Sequence, residues 1–196
     1  MTIEVTEEPM TALPEYARVP IAFTVDRVLE VTDRNDGPRG FVLSERRLEV
    51  PYEKDYDAIA GEGPLQWARR FNLSNWTLFT ARFAARLVGG ATVAFDTPGL
   101  TMLEGRRDLA VVWDIRVSPE ARRQGVGSAL FERVEAWAQL HGCRQVKIET
   151  QNTNVRACRF DERQGCRLQA AAFSGVASTH TSKSPVARGR RCTANA

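Results

Sequence analysis

The run LAVVWDIRVSPEARRQGVGSALFERVEAWA, Leu109 to Ala138, constrains the fold more than any other stretch of this chain. Leu109 to Val117 is mostly apolar and β-branched, the composition of a central strand covered on both faces. Ser118-Pro119 closes it. From Val126 the apolar residues Val126, Leu130, Val134 and Trp137 recur at helical spacing, and the stripe ends near His141-Gly142. CRQVKIETQ then predicts another strand, and NTNVRACRFDERQGC a helix of about ten residues that Gly165 ends. Strand, turn, long helix, strand and short helix give an α/β or α+β domain with a crossover unit at its centre.

Upstream, VPIAFTVDRVLEV (Val19 to Val31) alternates apolar and polar positions, as a half-buried strand does. DRNDGPRG is a turn by composition, and FVLSERRLEV suits either a second strand or the start of a helical segment. NWTLFTARFAARLVGGATVAF predicts a hairpin of Thr80 to Ala85 and Val88 to Ala94, with Gly89-Gly90 at a bend. The expected organisation is an irregular lead-in over 1–17, one domain over 18–173, and a disordered tail over 174–196. After Phe173 the chain has no aromatic residue and no strand-like alternation, so the C-terminal strands of the sheet are expected to be incomplete.

Composition narrows the classes of function. Hydrophobic residues make up 43% and charged residues 26%, the balance of a soluble globular protein, and no apolar run approaches the roughly 20 residues of a membrane span. The N-terminal stretch lacks the basic-then-apolar order of a signal peptide, so a cytoplasmic address is expected and no membrane partner. The net charge of +3 arises locally: every Asp and Glu lies at or before Glu162, and Arg163, Arg167, Lys183, Arg188, Arg190 and Arg191 follow it. The remaining body is slightly acidic, which does not suit a binder of nucleic-acid backbones. Cys143, Cys158, Cys166 and Cys192 form no CxxC pair and His141 and His180 lie far apart, so no metal site is expected.

The turn ahead of the long helix carries the chemistry. A helix N-terminus presents unpaired N–H groups and a partial positive charge, an anion site wherever the chain can come close. Gly125 and Gly127 supply access there and Arg122 and Arg123 supply charge, so a phosphate-bearing ligand is expected. A Walker A loop would need Lys and Ser or Thr after its last glycine, where Ser128 and Ala129 stand, and a dinucleotide fingerprint would need glycine at Leu130.

Arg122-Arg123-Gln124-Gly125-Val126-Gly127 resembles the R/Q-x-x-G-x-G/A signature of the GCN5-related N-acetyltransferases. The stretch ETQNTNVRACRF, Glu149 to Phe160, resembles that family's next strand and its N-x-x-A-x-x-F helix. GFVLSERRLEVPYEKDYD, VKIETQNTNVRAC and RQGCRL are similar to the family's streptothricin acetyltransferases. The resemblance implies a mixed central sheet with a splayed strand pair and flanking helices, and transfer of acetyl from acetyl-CoA to a primary amine of a small molecule, streptothricin foremost. A protein amine as acceptor, a domain that only binds acyl-CoA, and a homodimer stay open.

By the same resemblance the pantetheine arm pairs with the backbone of Ile115, Arg116 and Val117. The pyrophosphate meets the turn Arg122, Arg123, Gln124, Gly125, Val126, Gly127 and Ser128, and Asn154 meets the cofactor arm. An amine with pKa near 10 must lose a proton before it attacks, and Asp114 and Glu149 are the candidate bases. Tyr52, Glu53, Asp55 and Asp57 are candidates for holding a polycationic acceptor. The family's tyrosine, which protonates the leaving thiolate, is replaced here by Asp161. An Asp with an ordinary pKa near 3.9 is ionised and would repel that thiolate, so impaired turnover is expected.

Overall fold

The computed structural model describes residues 2–33, 41–172 and 178–183, with side chains over 2–30 and 43–168. In chain order the elements are β1 (Ile3–Glu8), α1 (Leu13–Tyr16), β2 (Phe23–Asp33), β3 (Phe41–Lys54), α2 (Trp67–Arg70), β4 (Thr77–Phe83) and β5 (Arg86–Phe95). There follow β6 (Leu109–Val117), α3 (Val126–Leu140), β7 (Gln145–Gln151), α4 (Val155–Arg163), β8 (Arg167–Ala172) and β9 (Ser178–Lys183). This is the mixed α+β architecture expected.

Contacts group the chain into two compact units. Among the described residues the first takes in 2–21, Asp55–Ile148 and Lys183, and its strands run in the order β1-β4-β5-β6-β7. The pairs are antiparallel except β6 with β7, which is parallel, as a crossover through α3 requires. The β6–β7 ladder runs only from Leu109 opposite Gln145 to Val112 opposite Ile148, while β6 itself continues to Val117. Val126, Leu130, Phe131, Val134, Trp137 and Ala138 are the buried stripe of α3, the face its periodicity predicts.

On β6, Val112 faces Val93 and Asp114 faces Thr92, so Trp113 is one residue too many for its partner, a β-bulge. Trp113 joins a cluster of aromatic rings, with centroids 5.2 Å from Phe71, 5.4 Å from Trp76 and 6.5 Å from Trp67. Tyr16, fully buried, packs in the same core with Leu13, Leu78, Leu103 and Leu109.

The second unit takes in Ala22–Lys54 and Glu149–Ser182. β2 and β3 form an antiparallel ribbon whose register slips between Val25 and Arg27, which settles FVLSERRLEV as strand. Asn152 extends the β2 side: its carbonyl accepts from Leu29 N at 3.0 Å and its side-chain amide donates to Leu29 O at 2.9 Å.

Three sequence expectations are corrected. The segment 1–17 is not irregular: β1 pairs with β4, Ile3 and Val5 are half-buried, and Glu4, Thr6 and Glu7 face water, an alternation that the acidic residues obscure. Gly89-Gly90 lies inside β5, and the hairpin turns instead at Ala84-Ala85, with Ala84 at φ +50°. The glycines serve close approach, because a Cβ on Gly90 would lie 2.7 Å from the Tyr16 ring and one on Gly89 would lie 2.8 Å from Arg116 O. Finally, Ser178–Lys183 within the expected disordered tail forms β9, antiparallel to β8. A ladder closes through backbone groups and needs no apolar alternation, and the β-branched Thr179 and Thr181 favour extended backbone. The rest of that tail lies outside the described residues.

Candidate active site

The turn before α3 leaves backbone N–H groups open at a helix N-terminus. Arg123 at φ +63° and Gly125 at φ +88° bend the chain so that α3 starts abruptly, with no side chain capping it. Ala129 N already bonds Gly125 O at 3.0 Å, whereas the helix itself offers no carbonyl to the N–H groups of Val126 and Gly127. Gly125 is needed for its conformation and not for room: a Cβ there would meet only Ile3 Cδ1, at 3.6 Å. Arg122 is drawn back, its Nε donating to Val117 O at 3.0 Å, and Gln124 Nε2 donates to Glu120 O at 2.7 Å. The first bond braces the turn against the end of β6 and the second ties it to the preceding Pro119–Ala121 segment, and Arg123 stands exposed at its tip.

Downstream of β7, in the second unit, Asn154 caps α4, its oxygen accepting from Ala157 N at 3.2 Å. Just before it, Asn152 Oδ1 and Thr153 Oγ1 are buried with no hydrogen-bond partner. Orphaned polar atoms of this kind are the feature a polar ligand such as a pantetheine amide would satisfy. Within the first unit, the open N–H groups and the charge of Arg123 at the head of α3 have the chemistry that a pyrophosphate group requires. Among the described residues no group of three or more His, Cys, Asp or Glu is arranged to hold a metal ion.

Charged side chains in the first unit converge on Arg116, whose side chain is only 1% exposed. Its Nε and Nη2 grip Asp114 at 2.9 and 2.7 Å, and its Nη1 and Nη2 grip Asp57 at 2.7 and 3.2 Å. Nη1 also donates to Val19 O at 3.1 Å, so every guanidinium donor is used. The Tyr16 hydroxyl donates to Asp114 Oδ1, and the guanidinium carbon lies 4.9 Å from the Tyr16 ring centre. Burial, then the Asp114 charge, pushes the Tyr16 phenol well above its ordinary pKa of 10. Burial works against the Arg116 cation, and the hydrogen bond and charge of Asp114 outweigh it, so its pKa rises.

Of the sequence-predicted residues, the structure thus brings Asp114, Arg116 and Asp57 into one network centred on the buried guanidinium. Tyr16 completes it and was not foreseen; the glycine at position 90, which leaves room for its ring, was the available signal. Asp55 braces the same loop, its Oδ1 accepting from Asp57 N at 3.0 Å. Tyr52 and Glu53 are exposed on β3, and Glu149 is exposed on β7.

Asp161 departs from its expected surroundings and from the ordinary pKa of an Asp, though it is still largely ionised at neutral pH. It is 1% exposed on α4, accepts from Thr150 Oγ1 at 2.6 Å, and its carboxyl is pushed up to about 6 by burial, which the Thr150 bond only partly offsets. The face of α4 that turns Val155 inward turns Asp161 inward with it, so this carboxyl is buried and not solvated as its charge in the sequence suggests.

A model of the Acetyltransferase (GNAT) family matches residues 42–166. A streptothricin acetyltransferase of Streptomyces lavendulae is 26% identical over 160 residues, 80% of this chain and 79% of that protein. An aminoglycoside N(6')-acetyltransferase type 1 of Klebsiella aerogenes is 39% identical over 70 residues, 36% of this chain and 41% of that protein. Among solved structures, nourseothricin acetyltransferase aligns at a TM-score of 0.70 and 22% identity, covering 95% of this chain and all of its own. A protein of Bacillus anthracis described as a streptothricin acetyltransferase, solved with acetyl coenzyme A, aligns at 0.72 and 20% identity over 93% of this chain and 99% of that one. The two solved structures share the fold of this chain over 95% and 93% of its length.

Proposed function

The chain belongs to the acetyltransferase (GNAT) family, and on that premise we propose that it transfers an acetyl group from acetyl-CoA to a primary amine of streptothricin, a reaction of the cytoplasm that confers resistance. The observation that carries this reading is the glycine turn at the head of α3, set in a chain similar along most of its length to a streptothricin acetyltransferase. Acetyl-CoA supplies an activated thioester when bound. The backbone N–H groups opening α3 receive its pyrophosphate, with Arg123 adding charge at the tip, and the part of β6 beyond Val112 offers its edge to the pantetheine arm.

The amine attacks only when neutral, so a carboxylate must take its proton, directly or through water. Glu149 is the group proposed for that role, since it is exposed on β7 and lies outside the Arg116 network. Glu53 and Asp55 are proposed to hold the cationic side of the acceptor, and Asp57 does so only at the expense of its bonds to Arg116. At neutral pH Asp161, with a pKa of about 6, is largely ionised and donates no proton. Water is therefore proposed to reprotonate the leaving thiolate, at some cost in rate.

The test is mass spectrometry of streptothricin incubated with acetyl-CoA and either the natural chain or Asp161→Tyr. A gain of one acetyl group with the natural chain is the expected result, faster with Asp161→Tyr if the variant keeps its fold. Binding of acetyl-CoA with no transfer by either protein would reject streptothricin as the acceptor.

A further inference from the structure

Asp114 lies on β6, where the sequence reading seeks a base, yet the structure gives its carboxylate another occupation. Its Oδ1 accepts from Arg116 Nε and from the Tyr16 hydroxyl, and its Oδ2 accepts from Arg116 Nη2. A carboxylate oxygen pair has about four lone-pair sites, so three are already filled by donors and about one is left for any other contact. The side chain is 10% exposed and stands beside a guanidinium 1% exposed.

The other half of the guanidinium reaches a different segment. Asp57, 30% exposed, sits in the loop between β3 and α2, and both of its oxygens are held by Arg116. The same loop is drawn tight by the Asp57 N bond to Asp55 Oδ1. At its far end Gly63, at φ +83°, passes so close that a Cβ would lie 3.3 Å from Asp57 Oδ1. Arg116 also ties Val19 O, the carbonyl of a third segment.

We infer that Arg116 is a positioning residue: gripping Asp114 on its own strand and Asp57 on the loop after β3, it clamps that acceptor-side loop to the cofactor strand, and Asp114 is the anchor of this clamp and not the proton acceptor. The acceptor-side role rests on the acetyltransfer reading above; the clamp itself does not. Breaking a bidentate, buried pair frees the loop without removing any group that touches the reacting atoms.

Two measurements on the full chain test this. Without any substrate, amide hydrogen exchange over residues 55–63 should quicken at least ~10-fold in Asp57→Ala and in Arg116→Lys, with Asp57→Asn, which keeps an acceptor oxygen, lying between. Asp57→Ala alters a partly exposed loop and keeps the test open should Arg116→Lys fail to fold. Unchanged exchange in Asp57→Ala would overturn the clamp, whatever the protein acetylates. With acetyl-CoA and streptothricin, the same variants should raise KM for the amine ~10-fold with kcat within ~3-fold, because about 1.4 kcal/mol of lost order is one power of ten. The acid limb of kcat/KM against pH should persist in Asp114→Asn and vanish in Glu149→Gln. Loss of that limb in Asp114→Asn would overturn the assignment of Asp114 as anchor alone, and its survival in Glu149→Gln would overturn Glu149 as the base. If the natural chain acetylates no amine, the acetyltransfer reading fails and the exchange measurement alone decides the clamp.

Discussion

Asp161→Asn should stabilise this protein, and by an amount that depends on pH in a way fixed by one buried carboxyl. Asp161 is 1% exposed, and burial lifts its pKa from an ordinary 3.8 to about 6. Between those two values the native state holds a proton that the unfolded chain releases, so stability falls as pH rises through that window. It is fully present below about 3.8 and lost above about 6. The whole effect is ~3 kcal/mol, and ~2 kcal/mol of it falls between pH 4.5 and pH 8. Asparagine has no charge to bury and still offers an oxygen to the Thr150 hydroxyl, which lies 2.6 Å away. Urea denaturation of both proteins at the two pH values removes every other titrating group from the difference. The advantage of Asp161→Asn should be larger at pH 8 than at pH 4.5 by about 2 kcal/mol. An advantage equal at the two pH values would mean that Asp161 titrates in the native state as it does unfolded, and the burial argument would fail.

Two glycines make contrasting predictions. Gly90→Ala would place a Cβ 2.6 Å from Phe79 O and 2.7 Å from two carbons of the fully buried Tyr16 ring, neither of which can move aside. A loss of at least ~1–3 kcal/mol is expected in thermal denaturation, and an unchanged midpoint would refute it. Gly125→Ala meets no steric barrier, only the left-handed φ of +88°, at ~1–2 kcal/mol. Its expected signature is weaker binding of acetyl-CoA by calorimetry, with Gly125→Asn, a residue at ease in that conformation, losing less.

How far the sequence reaches follows from the range of the forces involved. The stripe of α3, the strand at Leu109–Val117 and the turn at Gly125 were legible because each is set by neighbours within a few residues. The Arg116 network was not: its partners Asp57 and Tyr16 lie 59 and about 100 residues away, and only the sheet brings them together. Charge in a sequence reads as surface, so the bonds of Asp57 to Arg116 and the burial of Asp161 have no signature there. One local signal did point at long-range packing. Gly89 and Gly90 have strand-forming residues on both sides, Leu87 and Val88 before them and Ala91 to Phe95 after, which leaves no reason for a bend. Side chains on a strand face opposite ways, so adjacent glycines clear both faces of the sheet at one level. Tyr16 occupies one clearing and Val126, at the start of α3, lies against the other, where a Cβ on Gly89 would come within 3.1 Å. The glycine pair therefore sets the height on β5 at which the buried tyrosine and the head of α3 both pack, which is why the clamp and the turn before α3 flank the same two residues of the sheet.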